Sequence, residues 1–332
     1  MEKILEEFNK ANRILVTGHV NPDGDCVGAG LALTLGLNKL NNKVEKEFKK
    51  TIRFVLQDSP PKTTDFLEHF PIIEKYENVQ TKYKFDLAFV IDSGAYDRIG
   101  DVANFIGEET RIINIDHHVS NNSYGHINYV NTNISSTAEL VYDILKELGV
   151  EFDIDMGESV YTGLVNDTGN FSYTNVSPKT FRIAADLREL GVNNEKIVRE
   201  FYDKKSFARL KMLGYAMSNF TFYEDKKLSF VYIPYKAFEE NNAKKEDTEG
   251  VVEALRSYEK TEVALFLREE KNGLIKGSMR SNGTDVNKIA CLFGGGGHIK
   301  AAGFTSDKKY DVILKEVLEK LENSKYDLIL MD

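Results

Sequence analysis

Apolar residues in the first half of the chain form short uninterrupted runs that alternate with longer segments of helical character. Each run has the length of a strand that is buried on both faces, and each ends at a glycine or an acidic residue. The runs occupy 13–18, 86–91 and 111–115. The helical segments occupy 26–40, 136–148 and 155–166. Strands that alternate with helices predict an α/β fold with a parallel sheet and helices on both faces.

The hydrophobic pattern changes after 178–219, a stretch predicted to be mostly helical. Beyond it, short segments alternate apolar and polar residues as half-buried strands do, and the polar stretch 239–249 is predicted to be a loop between them. A chain of 332 residues is also too long for one ordinary core. We therefore predict a parallel-sheet domain over 1–190, a helical linker over 191–223 and a smaller α/β domain over 224–332.

Composition and charge narrow the classes of function. The net charge of −9 argues against a protein that coats long duplex nucleic acid, because such proteins carry a basic face. No apolar run approaches the ~20 residues of a membrane helix, and the acidic N-terminus is unlike a signal peptide. We therefore expect no membrane partner and a cytoplasmic location. Cys26 and Cys291 lack the spacing of zinc ligands and are interpreted as free thiols.

The first candidate site lies directly after the first predicted strand. A histidine and two aspartates, His19, Asp23 and Asp25, fall within a short segment in which Pro22 and Gly24 force a turn. Imidazole nitrogen and carboxylate oxygen form a ligand mix that suits Mn²⁺ or a similar divalent ion. The alternative is a surface turn whose aspartates cap the following helix.

Three further acidic motifs lie at the ends of predicted core elements. They are Asp92, the run Asp116-His117-His118, and Asp167. Ligands of parallel sheets bind at the carboxyl ends of the strands, and a carboxylate at a helix C-terminus is unfavourable without a nearby cation. Adjacent residues of extended chain point in opposite directions, so one histidine could face a metal and the other a substrate. The alternatives are a helix cap, solvated loop histidines and an exposed aspartate.

Together these motifs offer enough ligands for two metal sites that share one carboxylate. A close pair of metal ions lowers the pKa of a bridging water. It also stabilises the attacking and the leaving oxygen when a phosphate ester is hydrolysed. Such ions also neutralise the charge that builds on phosphoryl oxygens. Hydrolysis of a phosphate ester is therefore the reaction that this set of groups suits best.

A glycine-rich motif lies in the second predicted domain. The run Gly294–Gly297 precedes His298 and Lys300, and glycines let backbone amides approach an anion closely. The small residues that follow predict a helix start or a tight packing site. Upstream, Arg280 ends a predicted strand and could bind a phosphate or a carboxylate through two of its guanidinium N–H groups. These residues favour a phosphate site, and the alternatives are a flexible loop and a surface salt bridge.

The ordered set of motifs resembles the DHH/DHHA1 phosphoesterase family. The matching positions are His19-x-x-x-Asp23-x-Asp25, Asp92-Ser93, Asp116-His117-His118, Asp167-Thr168-Gly169, Arg280-Ser281 and Gly295-Gly296-Gly297-His298. They span nearly the whole chain in the family's order. The short length is similar to the nanoRNase/pAp phosphatase branch, which includes stand-alone cyclic-dinucleotide phosphodiesterases. Two departures from the family's pattern are Cys26, directly after Asp25, and Asn282 at a position where an acidic residue is expected.

The resemblance implies a hydrolase with two Mn²⁺ ions per chain. One ion would be held by His19, Asp23 and Asp92, and the second by Asp25, Asp92, His117 and Asp167, so that Asp92 bridges. Among the catalytic residues, Asp116 would orient the neighbouring site and His118 would face the substrate phosphate. The implied substrate-binding residues are Arg98, Arg280, Ser281, Asn282, Gly295, Gly296, Gly297 and His298.

The resemblance also implies substrates, namely short oligoribonucleotides (nanoRNA) and 3′-phosphoadenosine 5′-phosphate (pAp). Cyclic di-AMP and its linear product pApA remain the alternative, because no residue separates the two substrate sets. The glycine motif argues against an inorganic pyrophosphatase or exopolyphosphatase, and the complete ligand set argues against a non-catalytic nucleotide sensor. We expect RNAs of two to five residues to be preferred over a 24-mer, and a homodimer is left open.

Overall fold

A computed structural model describes residues 2–323 of the chain, in which one compact unit ends at Lys204 and a second begins at Lys205. Residue 1 and residues 324–332, which belong to the two domains predicted from the sequence, lie outside the described residues. Among the described residues, no helix combines the length and the apolar character needed to cross a membrane.

The first unit contains a sheet of six parallel strands in the order β3-β2-β1-β4-β5-β6. The strands are β1 (Arg13–Thr17), β2 (Thr51–Leu56), β3 (Ile73–Lys75), β4 (Leu87–Ile91), β5 (Arg111–Asp116) and β6 (Ile127–Val130). The three apolar runs predicted as strands are β1, β4 and β5, which lie side by side in the middle of the sheet. The parallel α/β fold predicted from the sequence is therefore confirmed.

Six α-helices belong to the described part of this unit. They are α1 (Glu2–Lys10), α2 (Gly24–Asn42), α3 (Thr137–Glu147), α4 (Ile154–Asp167), α5 (Pro178–Glu189) and α6 (Asn194–Val198). α1 to α4 pack their apolar side chains on one face of the sheet. The other face is covered largely by the 3₁₀ segment Tyr96–Phe105, whose buried residues contact Leu15 and Val90.

Two glycines let α2 and α4 approach each other closely. A Cβ atom at Gly28 would lie 2.3 Å from the carbonyl oxygen of Ser159 on α4. A Cβ atom at Gly163 would lie 2.5 Å from Oδ1 of Asp25 on α2. Because both distances are far below van der Waals contact, only glycine fits at these crossings. This packing brings Asp25 and the C-terminal end of α4 together.

Asp86, which directly precedes β4, links the N-terminal ends of the neighbouring strands β1 and β5 through hydrogen bonds. Its Oδ2 accepts hydrogen bonds from the backbone N–H groups of Asn12 (3.0 Å) and Arg13 (2.9 Å), and its Oδ1 accepts from the Arg13 guanidinium (2.6 Å). Its carbonyl oxygen accepts from the backbone N–H of Arg111 at 2.9 Å. Burial raises the pKa of Asp86, but the bonds to Arg13 and Asn12 outweigh it and hold the pKa below its ordinary value.

The second unit is built on a six-stranded mixed sheet in the order β11-β12-β10-β9-β8-β7, in which only β8 and β9 are parallel. Its strands are β7 (Thr221–Tyr223), β8 (Leu228–Ile233), β9 (Val263–Glu269), β10 (Ile275–Ser281), β11 (Gly296–His298) and β12 (Ala301–Ser306). Its helices are α7 (Phe207–Asn219), α8 (Tyr235–Glu240), α9 (Val251–Arg256), α10 (Val286–Cys291) and α11 (Tyr310–Asn323).

Two details of this unit differ from the sequence-based expectations. The predicted loop at 239–249 contains the end of α8 and a 3₁₀ turn, Lys245–Thr248. The residues after His298 do not start a helix, because Ala301–Ser306 pairs with β10 and β11 as strand β12. The alternative of a tight packing site is the one observed, since a Cβ atom at Gly295 would lie 2.2 Å from the carbonyl oxygen of Gly303.

The two faces of the second sheet differ in their cover. One face, which includes Met279, packs against α10 and α11. On the other face, the residues of β8 and β9 pack against α7, α8 and α9. Farther along this second face, β10 and β12 carry the small, partly exposed residues Ser278 and Gly303. We call this small-residue part of the second face the open face.

Candidate metal centre

His19 directly follows Gly18 at the end of β1, and its imidazole is buried. Its Nδ1 lies 2.9 Å from the carbonyl oxygen of Val20. A carbonyl only accepts, so Nδ1 carries a proton and donates it to this bond. In the neutral ring, the lone pair is then on Nε2. That atom lies 3.5 Å from Oδ2 of Asp92 and 3.9 Å from Oδ1 of Asp23. Histidines that bind metals are commonly oriented in this way, with one ring nitrogen donating a hydrogen bond and the other free to coordinate.

Asp92 occupies the centre of the cluster. It directly follows β4, is 2% exposed, and accepts a hydrogen bond at Oδ1 from the hydroxyl of Thr137 (2.9 Å). Its Oδ2 faces His19, whereas its Oδ1 lies 3.7 Å from Nε2 of His117 and 3.7 Å from Nδ1 of His118. The two oxygens of one carboxylate therefore face two different groups of candidate ligands.

Asp23 and Asp25 lie at the start of α2 and have different environments. Asp23 is the N-cap, and its Oδ1 accepts from the backbone N–H groups of Asp25 and Cys26 at 3.0 Å each. The helix cap considered from the sequence is thus present. Asp25 is fully buried, and its two oxygens accept from the backbone N–H groups of Thr137 (2.6 Å) and Ala138 (2.9 Å). The N-terminus of α3 therefore holds this carboxylate in place.

His117 and Asp167 meet beside Asp92. Asp167 is the last residue of α4, and its Oδ2 lies 3.0 Å from Nε2 of His117. Its Oδ1 accepts from the side-chain amide of Asn166 at 2.6 Å. The carboxylate that the sequence placed at a helix C-terminus is therefore half-buried next to an imidazole rather than free in solvent.

Asp116 ends β5, is fully buried, and holds two side chains of the following loop. Its Oδ1 lies 2.7 Å from Nδ1 of His118, and its Oδ2 accepts from the side-chain amide of Asn121 at 2.6 Å. The expectation that His117 and His118 point in opposite directions is wrong. The strand ends at Asp116, so alternation stops there, and the two rings contact each other with centroids 4.8 Å apart.

Two aspartates of the cluster have raised pKa values, because the site is buried and holds an excess of negative charge. Burial, and then repulsion by Asp167, Asp92 and Asp23, raises the pKa of Asp25 well above its ordinary value. Burial likewise raises the pKa of Asp167, and its contact with His117 offsets this only partly.

The pKa values of His19 and His117 are raised as well. Burial lowers the pKa of His19, but Asp23 and Asp92 outweigh it and raise the pKa to about 10. Burial lowers the pKa of His117, and Asp167 raises it to about 9. The site therefore attracts cations.

The described residues offer three overlapping groups of candidate metal ligands, with ligand atoms within 4.8 Å of one another. They are His19–Cys26–Asp92, Asp92–His117–His118 and Asp25–His117–Asp167. The carboxylates and imidazoles of these groups, with the attraction for cations just described, fit divalent ions. Cys26 is an unexpected member. Burial raises the pKa of its thiol well above the ordinary value, so it stays protonated beside the cluster.

Sequence reasoning missed the residues that support this cluster. Thr137 is fully buried, donates its hydroxyl proton to Asp92 and its backbone N–H to Asp25, and thereby joins two motifs. Asn121 and Asn166 each fix an aspartate. The start of α3 was visible as a run of hydroxyl residues, but no local pattern shows which strand end a helix N-terminus will meet.

Arg98 lies in the 3₁₀ segment that follows the Asp92 loop. Its carbonyl oxygen accepts from the backbone N–H of Val20 at 2.7 Å, which ties this segment to the residue next to His19. Its side chain is exposed, and within residues 2–323 no hydrogen bond or ion pair engages its guanidinium. Its role as a phosphate contact stays a prediction.

In the second unit, Arg280, Ser281 and Asn282 end β10 and begin the turn that follows it. Arg280 forms an ion pair with Glu253 of α9 (3.1 Å). Ser281 is fully buried and donates its hydroxyl proton to the carbonyl oxygen of Thr284. The Asn282 amide donates to the carbonyl oxygen of Thr261 at 2.8 Å. The polar groups of Ser281 and Asn282 are therefore used within the turn.

The glycine motif forms the short strand β11 rather than an irregular loop. Gly296 pairs with Gly303, and the exposed His298 pairs with Ala301, which in turn pairs with Arg280. The backbone N–H of Gly297 donates to Oδ1 of Asn287 at 2.8 Å. The pairing thus places Arg280 and His298 on neighbouring strands of the same unit.

Comparisons with known proteins agree with this geometry. Residues 13–164 match the DHH family, N-terminal domain, and residues 225–323 match the DHHA1 domain. The chain is 32% identical to the bifunctional oligoribonuclease and PAP phosphatase NrnA of Thermus thermophilus, over 98% of this chain and 95% of that protein. It is 25% identical to the Bacillus subtilis protein of the same name, over 91% of each chain.

A solved structure shows the same similarity. The crystal structure of an exopolyphosphatase-related protein from Bacteroides fragilis has a TM-score of 0.88 at 27% identity, covering 98% of this chain and 96% of that one. The domain matches and the relative that is 32% identical confirm the resemblance seen in the sequence, and the chain belongs to the DHH/DHHA1 family of phosphoesterases.

Proposed function

We propose that this protein hydrolyses phosphate esters of short oligoribonucleotides and of pAp with two divalent metal ions, Mn²⁺ being the expected one. The observation that carries the proposal is the position of Asp92, whose two oxygens face His19 on one side and His117 on the other. A shared carboxylate between two groups of nitrogen and oxygen ligands is the arrangement that two-metal hydrolysis needs.

The residues that would hold the ions follow from the clusters. His19, Asp23 and Asp92 would hold one ion, and Asp25, Asp92, His117 and Asp167 the other. When bound, the ions activate a water and neutralise charge on the phosphate oxygens. The surplus of carboxylates supports this assignment, because a buried group of repelling aspartates is costly without a cation.

His118 and Asp116 would supply the remaining chemistry in this unit. Asp116 accepts the hydrogen bond of Nδ1 and so fixes the ring of His118. The bond to Asp116 also raises the pKa of His118, which favours a protonated ring. A protonated ring fixed in this way has Nε2–H left to donate to a substrate phosphate oxygen or to the leaving oxygen.

Substrate binding is assigned to Arg98 and to the second unit. We propose that the domain over 224–332 binds the nucleotide through Arg280 and His298, with Gly295–Gly297 supplying backbone that a ligand can approach closely. Ser281 and Asn282 would act by holding the turn beside Arg280. The names of the relatives, bifunctional oligoribonuclease and PAP phosphatase, support short RNA and pAp as substrates. A cytoplasmic location and a homodimer stay predictions.

A substrate and metal panel tests the proposal. The chelated protein would be supplied with Mn²⁺, Mg²⁺, Co²⁺ or Zn²⁺ and given pAp, pApA, cyclic di-AMP, pyrophosphate and an RNA ladder of 2 to 24 residues. We expect hydrolysis of pAp and of RNAs of two to five residues, fastest with Mn²⁺, and none with chelator alone. Full activity in chelator would contradict the metal assignment. Hydrolysis of pyrophosphate but not of nucleotides would contradict the substrate assignment.

A further inference from the structure

A cluster of cations lies on the second unit away from Arg280 and His298. Four basic side chains, Lys245, Arg268, Lys271 and Lys276, and one acidic side chain, Glu270, line a cavity of about 530 Å³. Four positive charges and one negative charge give this lining a net charge of +3, whereas the whole chain carries −9. We call these four basic residues the distal cationic cluster.

Two of the four cations are paired, namely Arg268 and Lys245, and two are free; Lys245 forms an ion pair with Glu246 at 3.7 Å. Arg268 is mostly buried, and its guanidinium donates to Glu270 (2.9 Å), to the carbonyl oxygen of Lys245 (3.2 Å) and to the hydroxyl of Thr248 (3.2 Å). The ammonium groups of Lys271 and Lys276 have no hydrogen-bond or ion-pair partner anywhere in residues 2–323. Two unneutralised charges therefore lie beside a rigid guanidinium in a cavity open to solvent.

The strand register places this cluster on the same face of the sheet as Arg280. Lys276, Ser278 and Arg280 alternate along β10, so all three point to the open face. Lys276 pairs with Arg268 on β9 and with Thr305 on β12. Ser278 and Gly303, which lie between the two basic ends, leave a floor without large side chains.

The separation of the two basic ends matches a short nucleic acid. Four residues of antiparallel strand span about 14 Å, which is the distance along β10 from Arg280 to Lys276. A stacked single strand rises ~3.4 Å per nucleotide, so about four nucleotides cover this span, and fewer do if the strand is extended. A single nucleotide bound at Arg280 is too short to reach the distal cluster.

We propose that the distal cationic cluster is a second phosphate-binding subsite for RNA, which contacts backbone phosphates of substrates longer than a dinucleotide while Arg280 and His298 hold the nucleotide at the other end of the open face. This inference rests on the proposed function, because it assumes that RNA binds along the face that carries Arg280. On this proposal, the distal cationic cluster makes the protein bind RNAs of three to five residues more strongly than pAp.

The test is a double charge reversal, K271E/K276E, with K309E/K315E as the matched control. The control pair carries the same change of charge, but Lys315 lies on α11, which packs on the opposite face of the sheet, and Lys309 immediately precedes that helix. Steady-state kinetics with the metal-loaded enzyme would compare a five-residue RNA with pAp at several salt concentrations. Fluorescence anisotropy of a labelled five-residue RNA in chelator would measure binding without hydrolysis.

For K271E/K276E we expect kcat/KM on the five-residue RNA to fall about ten-fold, with pAp changed less than about two-fold. The slope of log Kd against log salt for that RNA should shrink by about 1.4, because two phosphate contacts on a single strand are lost. The control should match the wild type. Equal effects on RNA and pAp, an unchanged salt slope, or no binding of the RNA by the wild type would overturn the proposal.

The two proposals fail in different ways. A wild-type enzyme that hydrolyses neither pAp nor RNA would contradict the proposed function, and the anisotropy measurement would still test the distal cluster. An enzyme that hydrolyses both, but whose five-residue RNA affinity is untouched by K271E/K276E, would contradict the subsite alone.

Discussion

Asp92 combines an unusual backbone conformation with the largest set of contacts in the candidate metal centre. Its φ of +53° lies in the left-handed region, which residues with side chains rarely adopt and which Asp and Asn tolerate best. Its backbone N–H donates to the carbonyl oxygen of Ile115 at 2.9 Å, so the turn is tied to the neighbouring strand. Strain of this kind is retained where the surrounding structure requires it, often at functional sites.

Asp92→Asn separates the chemistry of this position from its conformation. Asn keeps the shape and tolerates the positive φ, but it removes the negative charge that would join two metal ions. We expect kcat/KM on pAp to fall at least about 100-fold, because loss of a ligand costs more than the 10–100-fold loss that follows disturbance of its supports. Circular dichroism and the unfolding temperature in chelator should stay near those of the wild type. Retained activity would contradict the bridging role.

A substitution at Thr137 tests a residue that orients Asp92 rather than a candidate metal ligand. Thr137→Val keeps the shape but removes the hydroxyl that donates to Asp92. We expect metal affinity or activity to fall about 10- to 100-fold, since the carboxylate loses the bond that orients it. Thr137→Ser, which keeps the hydroxyl, should recover most of the activity in the same assay. Equal loss in both variants would indicate a packing effect instead.

At the scale of secondary structure, the crossing of α2 and α4 connects packing to chemistry. A methyl group at Gly163 would meet Asp25 and Ala138, each at 2.5 Å. We expect Gly163→Ala to lower stability by about 1–3 kcal/mol, the usual cost of overpacking. It should also weaken metal binding, because Asp25 must move. Metal titration and thermal unfolding would measure the two effects.

Gly214→Ala is the matched control for that substitution. Gly214 lies inside α7, and a Cβ atom there would meet nothing within 4 Å. The same chemical change should therefore raise stability by about 0.5–1 kcal/mol, because alanine restricts the unfolded chain and favours helix. A loss of metal affinity in both variants, or in neither, would contradict the role given to the α2–α4 crossing.

Asp86 makes the stability of the first sheet depend on pH. Its pKa is depressed in the folded state, so its contribution is present above the unfolded pKa of about 3.9 and is lost as the pH falls through the lower folded value. Asp86→Asn should therefore destabilise the protein at pH 7 by about 1.5–3 kcal/mol, the range for hydrogen bonds to charged groups. Chemical denaturation should show this difference shrinking below pH 4. A difference that is independent of pH would contradict the ionic contribution.

At the scale of the whole molecule, the metal ions should stabilise the fold that binds them. Ligands that bind only the native state raise its stability by about 2.7 kcal/mol at 100 times their Kd. We expect chelation to lower the unfolding temperature of the wild type and Mn²⁺ to restore it. The same additions should have a much smaller effect on Asp92→Asn. An unfolding temperature that is indifferent to chelator in the wild type would contradict the metal centre.

The sequence predicted much of the fold because the central strands are buried on both faces. β1, β4 and β5 appear as continuous apolar runs, whereas β2, β3 and β6 lie farther out, include polar and incompletely buried residues and were not predicted. The acidic motifs were visible because each follows a strand or ends a helix. Local patterns do not, however, specify pairing, so the strand formed by Gly296–His298 and the contact between Thr137 and Asp92 were missed.

The charge distribution shows a similar limit. In the second domain, the basic residues identified from the sequence as candidate phosphate ligands are those of its motifs, namely Arg280, His298 and Lys300. The register of β9, β10 and β12 adds Arg268 and Lys276 on the same face. These two residues belong to no motif, and only the pairing of β9 with β10 shows that they lie on the same face as Arg280.

The wide spacing of the candidate ligands along the chain also affects how the protein is made. The segment with His19, Asp23 and Asp25 leaves the ribosome first, whereas Asp167 ends α4 and comes last. At a synthesis rate of ~5–20 residues per second, the interval between the two is on the order of ten seconds. During that time a growing chain carries only part of the ligand set. The complete ligand set would therefore become available only after all six strands of the parallel sheet have been synthesised.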